Sequence, residues 1–273
     1  MKLVKTLIEL LKGGRNASGT ERHPFGGDGD NYRIVYPFKA IRERAVLDIG
    51  DIRVLAAKCA DERGRDFGQV PSDPILRESK VLILAAKNTG CFISAEDVPG
   101  SQYTIRTGES AIRMAQAEQV YYKIKNPFAK LHLKRHPAEY VLFEHVVHNI
   151  LFPDCALEFL GIAEDCQEAR IVYKQSAVRS DTRPDDVQIA KCLADIELKA
   201  VDRYSFGNDY VLVTDVGQDG DNVLVDDDGH LRFIDPIIGF KAPLLALLDE
   251  TFADNANVET LIHALLGLRG AMP

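Results

Sequence analysis

Apolar residues along the chain fall into two kinds of spacing, and the alternation between them sets the expected elements. MKLVKTLIELLKGG at the start carries Lys5 and Glu9 inside its apolar stretch and reads as a short amphipathic helix. Helical spacing predicts further helices around 40–47 and 73–88. In the second, Ile75, Leu76, Val81, Leu82, Leu84 and Ala85 form the apolar face and Gly90 supplies a stop. HPAEYVLFEHVVHNILFP (136–153) predicts one long helix, with Pro137 in its first turn and Leu142, Phe143, Val146, Val147, Ile150 and Leu151 at helical spacing. Helices are also predicted over 185–201 and in PLLALLDETF and VETLIHALLGL.

Between these, short runs rich in β-branched and aromatic residues predict strands: YRIVYPF, CFIS, QYTIRT, QVYYKIK, LEFLGIAED and ARIVYKQSAV, with turn signals at Pro99-Gly100 and Thr107-Gly108. Residues 13–31 are rich in glycine and polar residues and read as a linker. The GGDGD run within it has neither a preceding strand nor a following helix, so it does not make a phosphate loop. The order of elements predicts an α+β fold without internal repeats.

The stretch TDVGQDGDNVLVDDDGHLRFIDP (214–236) concentrates the candidate chemistry. VLV and LRFI predict a hairpin whose turn is DDDG, which makes Asp226, Asp227 and Asp228 turn residues. Asn222 and Asp235 stand at the outer ends of that hairpin. Antiparallel pairing would bring them together, either as simple strand-end caps or as a carboxamide and a carboxylate suited to Mg²⁺ beside phosphate oxygens.

The pair Asn222 and Asp235, with its thirteen-residue separation, resembles the catalytic-loop asparagine and metal-binding aspartate of the protein-kinase superfamily. VYYKIKNPF, HNILFPD and NVLVDDDGHLRFIDPI, in that order, resemble the kinase-like domain of the large polyvalent proteins encoded by phages and mobile elements. The resemblance covers about residues 80–240 and leaves 1–79 unexplained. It implies a two-lobed fold, with a small antiparallel-sheet lobe over 91–175 and a reduced helical lobe over 176–273, and the residues before it, 1–90, are expected to form a helical leader. It also implies an ATP- and Mg²⁺-dependent phosphotransferase whose acceptor, protein or small molecule, the residues do not name.

Carried across by residue, Lys123 matches the strand lysine that contacts nucleotide phosphates. Glu144 is its first candidate partner and Glu139 the second. Gly108 and Ser110 fall at the phosphate-covering turn, although no GxGxxG is present there. Asn222 and Asp235 become metal ligands. The catalytic base shows the largest departure, because the position five residues before Asn222 is Gly217. Asp215, directly after an apolar run, is the preferred base with a lengthened loop, and Asp219 is the alternative. No APE-like segment follows Asp235. These departures keep open a nucleotide-binding scaffold that works through a partner, and transfer of AMP instead of phosphate.

Two metal readings compete with this one. Asp215, Asp219, Gly220 and Asp226 fit part of a calcium-loop spacing, but strand-like flanks and Gly217 spoil it. His145 with His148, or His132 with His136, would share a helix face, but no third ligand is evident; solvated helix histidines are the expectation.

Composition narrows the classes without choosing among them. The chain is 46% hydrophobic and 27% charged, ordinary for a globular protein. Its net charge of −8 argues against broad nucleic-acid binding, though a basic patch spans Lys123 to Arg135. Five scattered cysteines without a CxxC pair fit a reducing cytoplasm. No apolar run reaches the roughly eighteen residues that would suggest a membrane span.

Overall fold

The computed structural model describes residues 36–63, 73–100, 104–106, 110–128, 138–180, 182–217, 222–253 and 257–267. The expected first helix, the linker over 13–31 and most of YRIVYPF lie outside them. Helix α1 (Phe38–Arg63) runs far beyond the segment expected at 40–47. Ile41, Ala45, Ile49, Ile52, Leu55, Ala56 and Cys59 form its buried stripe. That burial outweighs the cost of about 1 kcal/mol for a helical glycine at exposed Gly50. Helix α2 (Pro74–Thr89) follows the sequence reading closely. The Asp73 side chain caps the Ile75 N–H, Pro74 opens the first turn and Gly90 ends it in the left-handed region at φ 75°.

Five strands form an antiparallel sheet in the order β1-β2-β3-β5-β4: β1 (Thr104–Arg106), β2 (Ser110–Ala115), β3 (Val120–Lys125), β4 (Leu157–Asp165) and β5 (Glu168–Ser176). CFIS, expected as a strand, contributes only the bridge between Phe92 and Ile162. Gly161 makes that approach possible. It sits at φ 151° in a register shift of β4, and a Cβ there would come 2.5 Å from the Cys91 carbonyl oxygen.

The single helix expected over 136–153 is instead α3 (Ala138–Val141) and α4 (Glu144–Leu151), separated by a turn at Leu142–Phe143. The Phe143 N–H reaches back only to Tyr140, and the His145 ring Nδ1 donates to the Leu142 carbonyl at 2.8 Å. Leu142 and Phe143 at the break are both fully buried, as are Val146, Val147, Ile150 and Leu151 of α4. His145 and His148 are also buried, against the expectation of solvated rings. The reason is that α4 is covered by α1 and a later helix as well as by the sheet.

Helix α5 (Asp186–Ala194) opens with a reciprocal cap between Asp185 and Gln188 but stops well short of the expected residue 201. Glu197 adopts φ 59°, and the chain enters a second antiparallel sheet of order β11-β8-β7-β6. Its strands are β6 (Lys199–Ala200), β7 (Ser205–Gly207), β8 (Val211–Thr214) and β11 (Ile237–Phe240). Between β8 and β11 the expected hairpin forms, β9 (Val223–Val225) with β10 (Leu231–Phe233). Helices α6 (Ala242–Ala253) and α7 (Val258–Leu266) complete the described chain. The architecture is thus α+β. One continuous core joins Ile49 and Leu55 of α1, Val146 and Ile150 of α4, Tyr173 of β5, Phe233 of β10 and Leu265 of α7. No helix among the described residues is long and apolar enough to cross a membrane.

Candidate functional site

The β9–β10 hairpin fixes one side of the site. Its turn uses Asp226 as the sequence suggests: Asp226 Oδ1 accepts from the Asp228 and His230 N–H groups, and Gly229 takes φ 84°. Asp226 Oδ2 also pairs with Arg232, which reaches Asp154 at 3.1 Å. Asp226 is therefore a structural acid of the turn. The flanking segments are strands, so the calcium-loop spacing does not correspond to a helix–loop–helix site. At the open end the Ile234 N–H donates to the Asn222 carbonyl at 2.8 Å, which brings Asn222 beside the peptide that precedes Asp235.

The base candidate Asp215 follows the last residue of β8 and adopts φ 64°, a left-handed conformation that aspartate tolerates better than most residues. Its carbonyl accepts from Asn222 Nδ2 at 2.9 Å. Any cation would therefore meet the Oδ1 end of Asn222. Gly217, five residues before Asn222, is packed under the Tyr204 ring; a Cβ there would lie 2.8 Å from Tyr204 Cε1. Asp219 lies outside the described residues, as do Gly108, His132 and His136.

A cleft brings together Ser110 and Lys125 from the first sheet, Glu144 at the start of α4, Tyr173 of β5, Asp215 and Asp235. Glu144 thus opens a helix instead of lying in the middle of one. The second acid considered, Glu139, is engaged elsewhere: Arg63 of α1 donates to it at 2.7 Å and also pairs with Glu78.

Lys123 is only 4% exposed. Its amine donates to the Ile234 carbonyl at 2.5 Å and lies 3.8 Å from Asp235 Oδ1. Lys125, two residues on and on the same face of β3, contacts the same Asp235 oxygen directly. Burial pushes the Lys123 ammonium down to about 8, against the opposing pull of Asp235. Burial also raises the Asp235 carboxyl, but Lys125 and then Lys123 overcome this and hold it well below the usual carboxylate range. Asp235 is thus an anion at neutral pH, held by two cations. Lys125 is the site residue that sequence reasoning passed over. Its signal was present as the second lysine of VYYKIK, sharing a strand face with the first.

Chemically, the cleft offers three carboxylates, from Glu144, Asp215 and Asp235, the Lys125 ammonium and the Ser110 hydroxyl, and the Asn222 carboxamide is bonded to Asp215 at its side. The hard oxygen donors of Asp235 and Asn222 are the type that Mg²⁺ takes, usually with waters and phosphate oxygens completing its shell. Neither curated proteins nor solved structures give a match to the chain. A family model does match, over residues 76–242, from within α2 to the start of α6 and across every residue of the cleft. On that match the chain belongs to the family described as the serine/threonine/tyrosine kinases found in polyvalent proteins.

Proposed function

We propose that the protein is an ATP-dependent phosphotransferase whose nucleotide phosphates occupy the cleft between the two sheets. In this reading residues 91–175 act as the small lobe and 176–273 as the large lobe of a two-lobed kinase-like fold, with the preceding helices as a leader. The observation that carries it is the convergence of Asp235, Lys125, Glu144 and Asp215, from four separated segments, on one cleft within the family-matched region. Asp235 and the Oδ1 of Asn222 would hold Mg²⁺, which when bound neutralises phosphate charge. Asp215 would orient the acceptor hydroxyl and take its proton as the terminal phosphoryl group passes from ATP to that oxygen. Ser110, which lines the cleft, would face the phosphates.

One observation favours a second reading. Two residues after Asp235 the chain is already in β11, paired with β8 from Ile237–Thr214 to Phe240–Val211, and α6 follows at Ala242. This leaves no long segment between Asp235 and α6 to seat a peptide acceptor. It suits a small or unusual acceptor, or a nucleotide-binding scaffold that acts through a partner. Mass spectrometry of the full chain, and of added hydroxyl compounds, after incubation with ATP and Mg²⁺ decides among these. Phosphate-sized additions support the proposal, AMP-sized additions change the group transferred, and nucleotide binding without any addition supports the scaffold.

A further inference from the structure

We propose that the two β3 lysines divide the work: Lys125 is the phosphate-facing lysine, and Lys123 is a positioning residue that anchors the peptide carrying Asp235. The Lys125 half rests on the nucleotide reading above; the Lys123 half does not.

The register of the sheet separates the two. Lys125 stands opposite Ser110 on β2 and Ile171 on β5, and all three line the cleft. Lys123 stands one pair deeper, opposite Ile112 and Tyr173. The side chain of Lys125 is 27% exposed and that of Lys123 is 5% exposed. A partly solvated ammonium on a flexible four-carbon stem can turn from Asp235 to a phosphate oxygen. A buried ammonium cannot leave its carbonyl and carboxylate without being stranded in a medium of low dielectric. Lys123 is therefore held on the Ile234 carbonyl whether or not the cleft is occupied. The same Ile234 peptide unit receives a second restraint, the bond from its N–H to the Asn222 carbonyl. Lys123 thus ties the first sheet to the end of β10 and sets where the Asp235 carboxylate can stand.

The test uses the full chain with Lys123→Met, Lys123→Gln and Lys125→Met, the glutamine variant keeping a donor if methionine fails to fold. Hydrogen exchange of residues 232–237 is measured without nucleotide, and ATP binding is titrated with and without Mg²⁺. Lys125→Met is expected to leave exchange unchanged and to weaken ATP binding roughly 10- to 100-fold with or without Mg²⁺, as for loss of a charge-assisted bond. The Lys123 variants are expected to speed exchange in that segment. They should raise the Mg²⁺ concentration needed for tight ATP binding by about 10- to 100-fold, as for a residue supporting a ligand, with metal-free ATP affinity little changed. Unchanged exchange in both Lys123 variants overturns the anchoring role. Loss of metal-free ATP affinity in the Lys123 variants with retention in Lys125→Met reverses the assignment. If the parent chain binds no ATP, the nucleotide reading and the Lys125 half fall together, while the exchange result still decides the Lys123 half.

Discussion

Asn222 holds Asp215: its side-chain amide donates to the Asp215 carbonyl at 2.9 Å, and Asp215 is kept at φ 64°. The residue proposed to face the metal thus also braces the backbone of the residue proposed as base. Seven positions apart in the chain, the two residues are brought together by this bond.

Asp215→Asn keeps a side chain that tolerates the left-handed conformation, so the fold and Mg-ATP affinity are expected to survive. Transfer is expected to fall by about 10²- to 10⁴-fold. Nucleotide titration together with single-turnover transfer measures the two separately. Full transfer by Asp215→Asn combined with its loss in Asp219→Asn would move the base to Asp219.

Asp235→Asn removes the anion that Lys123 and Lys125 both face. Both the Mg²⁺ dependence of ATP binding and transfer are expected to fall. Asn222→Ala should lose the metal dependence too and in addition loosen the Asp215 loop. Thermal stabilisation by ATP across a Mg²⁺ series reads this out, because a ligand raises the melting temperature according to its affinity. Equal Mg²⁺ response in the parent and both variants would remove these residues from the metal site.

Gly217→Ala would push a methyl group against the Tyr204 ring. Tyr204 is 43% exposed and can yield, so the expected cost is about 1 kcal/mol, at the low end for overpacking. Adding Tyr204→Ala should remove that penalty. Denaturant midpoints of the two single variants and the double variant close the cycle.

His145 and His148 are buried, and burial pushes both down to about 3, so both are neutral in the folded protein at neutral pH. Below about pH 6.5 the unfolded chain takes up protons at these positions that the folded chain refuses. Stability from these sites is complete above pH 6.5 and is lost as pH falls toward 3, with a slope of up to about 1.4 kcal/mol per pH unit for each ring. Denaturant unfolding across this range should show a shallower slope for His145→Phe than for the parent. An unchanged slope would show that the ring titrates alike in both states.

The sequence by itself determined the parts whose cause is local. Asp73, Pro74 and Gly90 mark α2 because capping, a fixed proline φ and a left-handed glycine act within one turn of chain. The β9–β10 hairpin was legible for the same reason. Its DDDG turn and flanking apolar runs imply the register, and the register implies that Asn222 lies beside the peptide of Asp235. Only the tertiary structure decided the rest. The extent of α1 depends on a core supplied by residues distant in sequence, which overrides Gly50. The break at Leu142–Phe143 and the burial of His145 and His148 depend on what packs around α4 on each side. Choosing between two lysines on one strand face required knowing how deep each amine sits. Period-two spacing reports the face, whereas depth is set by the Ile234 carbonyl, Asp235 and the opposing cleft wall, which folding brings to β3 from far along the chain.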